Sequence, residues 1–251
     1  RKDQADMKFL PASKLKGPNE MSNTSSTAQV VLCVADTKLV LGNVCVATVF
    51  NGRSLGDFAT LLAIAGTSFG TTRSLYRWLE SHGEDYVRLE RGRDRHEIAS
   101  MDLLDAPPAS WVDLMVTIFV AETATATVAQ TTAKQGGAFL ANQVRMLQRD
   151  SAFHVAYSRG WLKVLHAGEQ MALQSAVRHR LPLALRWVES RDPGSVEAFA
   201  LACAPLLELS AVDLPDATPN EIGWDAARAR ARALPERLWN IVRFKDTALV
   251  A

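Results

Sequence analysis

The stretch "QRDSAFHVAYSRGWLKVLHAG" sets Asp150 four residues before His154. On a helix, residues three or four apart stand on one face. A carboxylate and an imidazole at this spacing can therefore reach one metal ion, or bond to each other. A second acid, Glu122, stands in the small-residue run "FVAETATATV". A buried carboxylate there needs a partner, such as His154 or an arginine from a neighbouring helix. Glu122, Asp150 and His154 are thus the groups on which chemistry could rest. They could hold one loosely bound ion, or form a metal-free pocket in which Asp150 tunes His154 as a base. The plainer reading is a hydrogen-bonded Asp150–His154 pair that serves structure alone. Other enzyme classes lack a starting motif, since there is no GxSxG, no phosphate loop and no dinucleotide glycine fingerprint.

The elements that must position these groups read as helices. The run 28–50, "AQVVLCVADTKLVLGNVCVATVF", is rich in Val and Thr, but an uninterrupted strand of that length is rare and a helix is not. A second helix spans 55–79, with Leu75, Trp78 and Leu79 on one face and Gly83 as a stop. After a charged connector ending in a Pro pair, Ser110 with Asp113 marks a third start, and a Gly pair follows its end. A fourth helix covers 139–166. A fifth runs to 189 with a kink expected at Pro182, and a shorter element spans 196–209. The tail "AARARARALPERLWNIVRF" is expected to close the chain as an exposed or partner-facing helix. Long helices with few hairpin signals predict an all-α bundle.

Composition narrows the function classes. The chain has 251 residues and a formal net charge of +1, which favours neither nucleic acid nor an anionic membrane. Three scattered cysteines form no CxxC pair or disulfide framework, which fits a reducing cytoplasm. No charge-free apolar run reaches the length of a membrane helix. Residues 1–27 read as a disordered segment, in part vector-derived with a fresh start at Met21, and 28–251 as a single helical domain.

Four strings in fixed order carry a family likeness: "LVLGN", "ATLLAIAGTSFGTTRSLYRWLE", "EDYVRLERGRDRHEI" and "RDSAFHVAYSRGWLKVLHAG". Together they resemble the structural subunit of the bacterial phenylacetyl-CoA epoxidase, over roughly 28–187. The resemblance implies a ferritin-like up-down bundle with additional C-terminal helices. It also implies a hetero-oligomer with a homologous catalytic subunit that holds two irons. In ferritin-like di-iron proteins two helices give a Glu each and the other two give Glu-x-x-His. Here Leu79, Arg93, Ser151, Lys163 and Ala176 stand three residues before the five histidines, so no such motif exists. Where the family's first helix carries a glutamate this chain aligns Ala47, and where its second carries an aspartate it aligns Thr67. The di-iron site thus reads as degenerate, with Glu122, Asp150 and His154 as its residue.

The expectation is therefore a non-catalytic subunit of an oxygenase acting on an aromatic acyl-CoA in phenylacetate degradation, with no metal or cofactor in this chain. The alternatives are an independent enzyme using Glu122, Asp150 and His154, a scaffold in a specialised biosynthetic pathway, and a homodimer in isolation. The arginines of "RLERGRDRHE" are expected to be solvated loop charge, or else contacts to coenzyme A phosphates.

Overall fold

Two serines begin two of the principal helices. Ser54 Oγ accepts from the Asp57 N–H, and Ser110 Oγ from the Asp113 N–H, each at 3.2 Å. Both are N-caps that satisfy donors the helix itself cannot. The computed structural model describes residues 18–242, with side chains from Thr27 onward. Its helices are α1 (Pro18–Ala47), α2 (Leu55–Glu80), α3 (Trp111–Thr132), α4 (Gly137–Arg191), α5 (Val196–Ser210) and α6 (Glu236–Val242). Among the described residues there is no strand beyond one isolated bridge, Asp225 to Arg230. The expected segment 1–27 falls largely outside the described residues, and α1 starts within it at Pro18.

α1 packs on α2, and α3 on α4, as two helical hairpins. Contacts of α1 with α3 and of α2 with α4 close them into a ferritin-like four-helix bundle. The Val- and Thr-rich run of α1 is helical because its bulk is needed inside: Val31, Val34, Val40, Leu41 and Val44 are all buried. Packing here overrides strand propensity. Gly42 allows α2 to come close, since a Cβ there would lie 2.7 Å from the Phe69 ring. At the α3–α4 turn Gly137 takes φ +75°, a conformation that favours glycine. α5 packs on α4 and α3, and α6 on α1. Two stretches, Thr27–Ala47 and Trp111–Thr132, are long and apolar enough to cross a membrane, but most of each is buried inside the bundle.

The break expected between the two helices over 139–189 is present: α4 has its one non-helical residue at Glu169 (φ −127°, ψ 32°), beside the weak helix former Gly168. Two other expectations need correction. Pro182 sits inside α4 without a break in helical dihedrals. Residues 225–231 are not helical. There the chain turns back through the Asp225–Arg230 bridge, and only α6 closes it helically.

Of the arginines expected at the surface, Arg88, Arg91 and Arg232 are exposed, but Arg93 and Arg230 are buried and do a different job. The connector 81–110 contains only a π turn, Arg88–Gly92, and a 3-10 turn, Asp102–Leu104, so much of its backbone lacks helical partners. Four buried guanidinium groups hold it. Arg93 makes a two-pronged bond to Asp36 of α1, at 2.7 and 2.8 Å. Arg180 of α4 donates to the Leu103 carbonyl at 2.6 Å and grips Asp113 with two nitrogens. Arg186 binds Asp102, and Arg230 binds Asp105 at 2.6 Å. A planar fork suits this role, because it satisfies a carboxylate and carbonyls at once.

Candidate functional site

At mid-bundle each of the four helices contributes to one polar cluster. Glu122 of α3 is its centre and is fully buried. Its Oε1 accepts from Lys38 Nζ of α1 at 2.7 Å and from His154 Nδ1 of α4 at 2.9 Å. Its Oε2 accepts from Lys38 Nζ at 2.7 Å and from Ser151 Oγ at 2.6 Å. His154 Nε2 lies 3.1 Å from Thr67 Oγ1 of α2. An ionised carboxylate can only accept, which assigns the Nδ1 proton to His154.

Burial alone would raise the Glu122 pKa. The Lys38 ammonium and the His154 bond outweigh it and hold the carboxyl at about 2. The cluster is therefore an ion pair with both carboxylate oxygens satisfied, the condition under which a buried pair is tolerated. Cys45, two turns on from Lys38, has its thiol pushed up to about 12 by burial and then by the Glu122 charge. It stays a thiol and is a poor metal ligand.

The cluster differs from the sequence expectation at three points. Asp150 is not in it; that side chain pairs with Arg149 near the surface at 3.1 Å, so the Asp150–His154 pair does not form. One residue decides this, because position 151, not 150, faces α3 alongside 154, and Ser151 stands there. Ala47 ends α1, about 13 Å of helical rise beyond Lys38. The α1 residue at the cluster is Lys38 itself. Thr67 does sit at the site, and Glu122 does meet His154. Lys38 and Ser151 were not among the expected residues. The signal for Lys38 was a charge inside an apolar helical run, beside Asp36, whose partner proved to be Arg93.

A second polar knot lies nearer the start of α2. Asp57 accepts from Tyr157 Oη at 2.6 Å, Trp161 Nε1 at 2.7 Å and Ser54 Oγ at 2.8 Å. These bonds outweigh burial and hold its carboxyl below the usual range. With Thr67–His154, they pin α2 against α4 at two levels and set the two helices antiparallel.

What can this arrangement hold? A bridged pair of hard cations needs several anionic oxygen donors and an imidazole on each ion. The cluster offers one carboxylate and one imidazole, and both carboxylate oxygens already face an ammonium. No group of three or more His, Cys, Asp or Glu that could hold a metal occurs among the described residues. The residues present do not fit a di-iron pair.

The sequence pattern of a family described as phenylacetic acid catabolic protein matches residues 13–205. No curated protein matches the chain. The chain belongs to the phenylacetic acid catabolic protein family, whose members are oxygenase-related and normally work within multicomponent complexes.

Proposed function

We propose that this member of the family is a non-catalytic structural subunit. It would support a homologous di-iron subunit of a cytoplasmic oxygenase complex acting on an aromatic acyl-CoA. The observation that carries the reading is Lys38 Nζ, 2.7 Å from both oxygens of Glu122, the carboxylate at the centre of the polar cluster. A ferritin-like catalytic subunit places metal charge between its helices. In this chain the positive charge between the helices is covalent. Its bundle would keep its shape without metal, which suits a subunit whose task is to hold a partner's helices and ligands in working geometry.

The test is co-expression with a ferritin-like chain that carries two intact Glu-x-x-His motifs, followed by metal analysis of the complex and of this chain alone. The expected result is a stable complex with iron stoichiometric to the partner, and less than about 0.1 iron in this chain alone. Two irons per chain in the isolated protein would end the proposal.

A further inference from the structure

We propose that the cleft between α1, α2 and α6 is a binding site for a small uncharged ring compound with an amide edge, a carbonyl beside an N–H. The Asn43 carboxamide is the group that recognises it. The cleft shares no residue with the Glu122 cluster, and the site does not depend on the role proposed for the chain in an oxygenase.

The cleft has a volume of about 240 Å³. A cavity of about 150 Å³ is enough for a benzene molecule, so a ring with one substituent fits here. Leu39 of α1, Phe69 and Tyr76 of α2 and Val242 of α6 supply apolar and aromatic walls. Tyr76 offers only its ring, because its hydroxyl donates to Asp36 at 2.6 Å and accepts from Arg93 at 2.6 Å. The Phe69 ring lies against the backbone of α1 beside Asn43. Gly42 makes that approach possible, since a Cβ there would stand 2.7 Å from the ring.

Asn43 is only 2% exposed, yet its bonding is incomplete. Its Nδ2 donates to the Leu39 carbonyl at 2.8 Å, the side chain's one hydrogen bond among the described residues. A carbonyl can only accept, which fixes which end of the carboxamide is nitrogen. One N–H and the oxygen Oδ1 therefore remain side by side on a group that lines the cleft. A buried polar side chain used so sparingly costs stability, and Leu or Ala would suit the helix better. The residue makes sense where a ligand completes it. Thr72, the neighbouring hydroxyl, spends its proton on the Ala35 and Ser68 carbonyls and does not compete.

The pattern left open on Asn43 selects the ligand chemistry. One donor beside one acceptor is matched by another amide edge, which gives an N–H to Oδ1 and takes one from Nδ2. A carboxylate can only accept, so it would set a lone pair and a charge against Oδ1. The charges that border the cleft do not change this. Glu90 Oε1 lies 3.5 Å from Arg73 Nε and its Oε2 3.6 Å from Arg91 Nε, and both arginines are exposed. They already share an acid, and an anion drawn inward to Asn43 would leave water without gaining a cation. An apolar slot with a single placed polar group is the usual build of a small-molecule site.

The experiment titrates benzamide into the full chain. A ligand of about nine heavy atoms at ordinary efficiency should bind with a Kd below about 1 mM. Nitrogen–proton correlation spectra should show the Asn43 side-chain amide signal moving with saturation, that signal being identified by its absence from Asn43→Ala. Asn43→Ala leaves the ring slot open, so it should bind toluene as the wild type does while binding benzamide at least about 10-fold more weakly. Two analogues give a reading that needs no variant. Benzoate lacks the N–H and adds a charge, and acetophenone replaces the amide nitrogen with a methyl group of similar size. Each should bind the wild type at least about 10-fold more weakly than benzamide. Absence of saturable benzamide binding up to about 10 mM overturns the proposal. So does benzoate or acetophenone binding as tightly as benzamide, or benzamide affinity unchanged in Asn43→Ala.

Discussion

Lys38 determines how Glu122 responds to pH, and the sign can be worked through. In the native chain Glu122 is held at about 2, below its ordinary 4.5. Its contribution to stability is therefore fully present above pH 4.5 and is lost as pH falls toward 2. Lys38→Met keeps the burial and removes the cation. The Glu122 pKa then rises above 4.5, and the buried charge becomes a penalty at neutral pH that protonation relieves. Chemical denaturation at pH 7 should show the variant about 3–5 kcal/mol less stable than wild type. The gap should narrow progressively from pH 6 to pH 3. A gap that stays constant with pH would mean that Lys38 contributes packing only. The acid and the imidazole of this cluster could be read from residue types in the sequence. The cation shows in the sequence only as a charge inside an apolar run, and its partner does not show, because Lys38 and Glu122 are 84 positions apart and nothing local pairs them.

At the scale of elements, the connector 81–110 behaves as part of the core although it has little regular structure. Arg180 illustrates why. It is buried in α4, yet it bonds the Leu103 and Ala106 carbonyls and caps Asp113 at the start of α3. Arg180→Met would leave Asp113 without its cation and those carbonyls without donors. The expected loss is about 2–4 kcal/mol. Hydrogen exchange should quicken first across 99–113, ahead of the centres of α1 and α4. Exchange that quickens equally everywhere would contradict a local clamp. The serine start of α3 and the class of the fold were legible, because caps and periodicity are local signals. The run "ARARARA" misled for a physical reason. It has helical composition, but Arg230 gains more by reaching half-buried Asp105 and buried Ser100 than by continuing a helix.

For the whole molecule, a self-supplied cation changes what stabilises the bundle. A site with a micromolar Kd, exposed to millimolar metal, would add about 4 kcal/mol to folding through mass action. For a domain of this size that corresponds to a rise in Tm of roughly 8–16 °C. In this chain, any divalent ion approaching Glu122 must displace an ammonium that already contacts both oxygens, and it would then find one imidazole and two hydroxyls. Calorimetric scans with excess ferrous iron under anaerobic conditions, and with a strong chelator, should therefore agree within about 1 °C. A rise of many degrees on adding iron would show that the bundle centre binds it and that Lys38 gives way. If the scans agree, the shape of this bundle is fixed by the polypeptide alone, and it can present the same faces to other chains whatever the supply of metal.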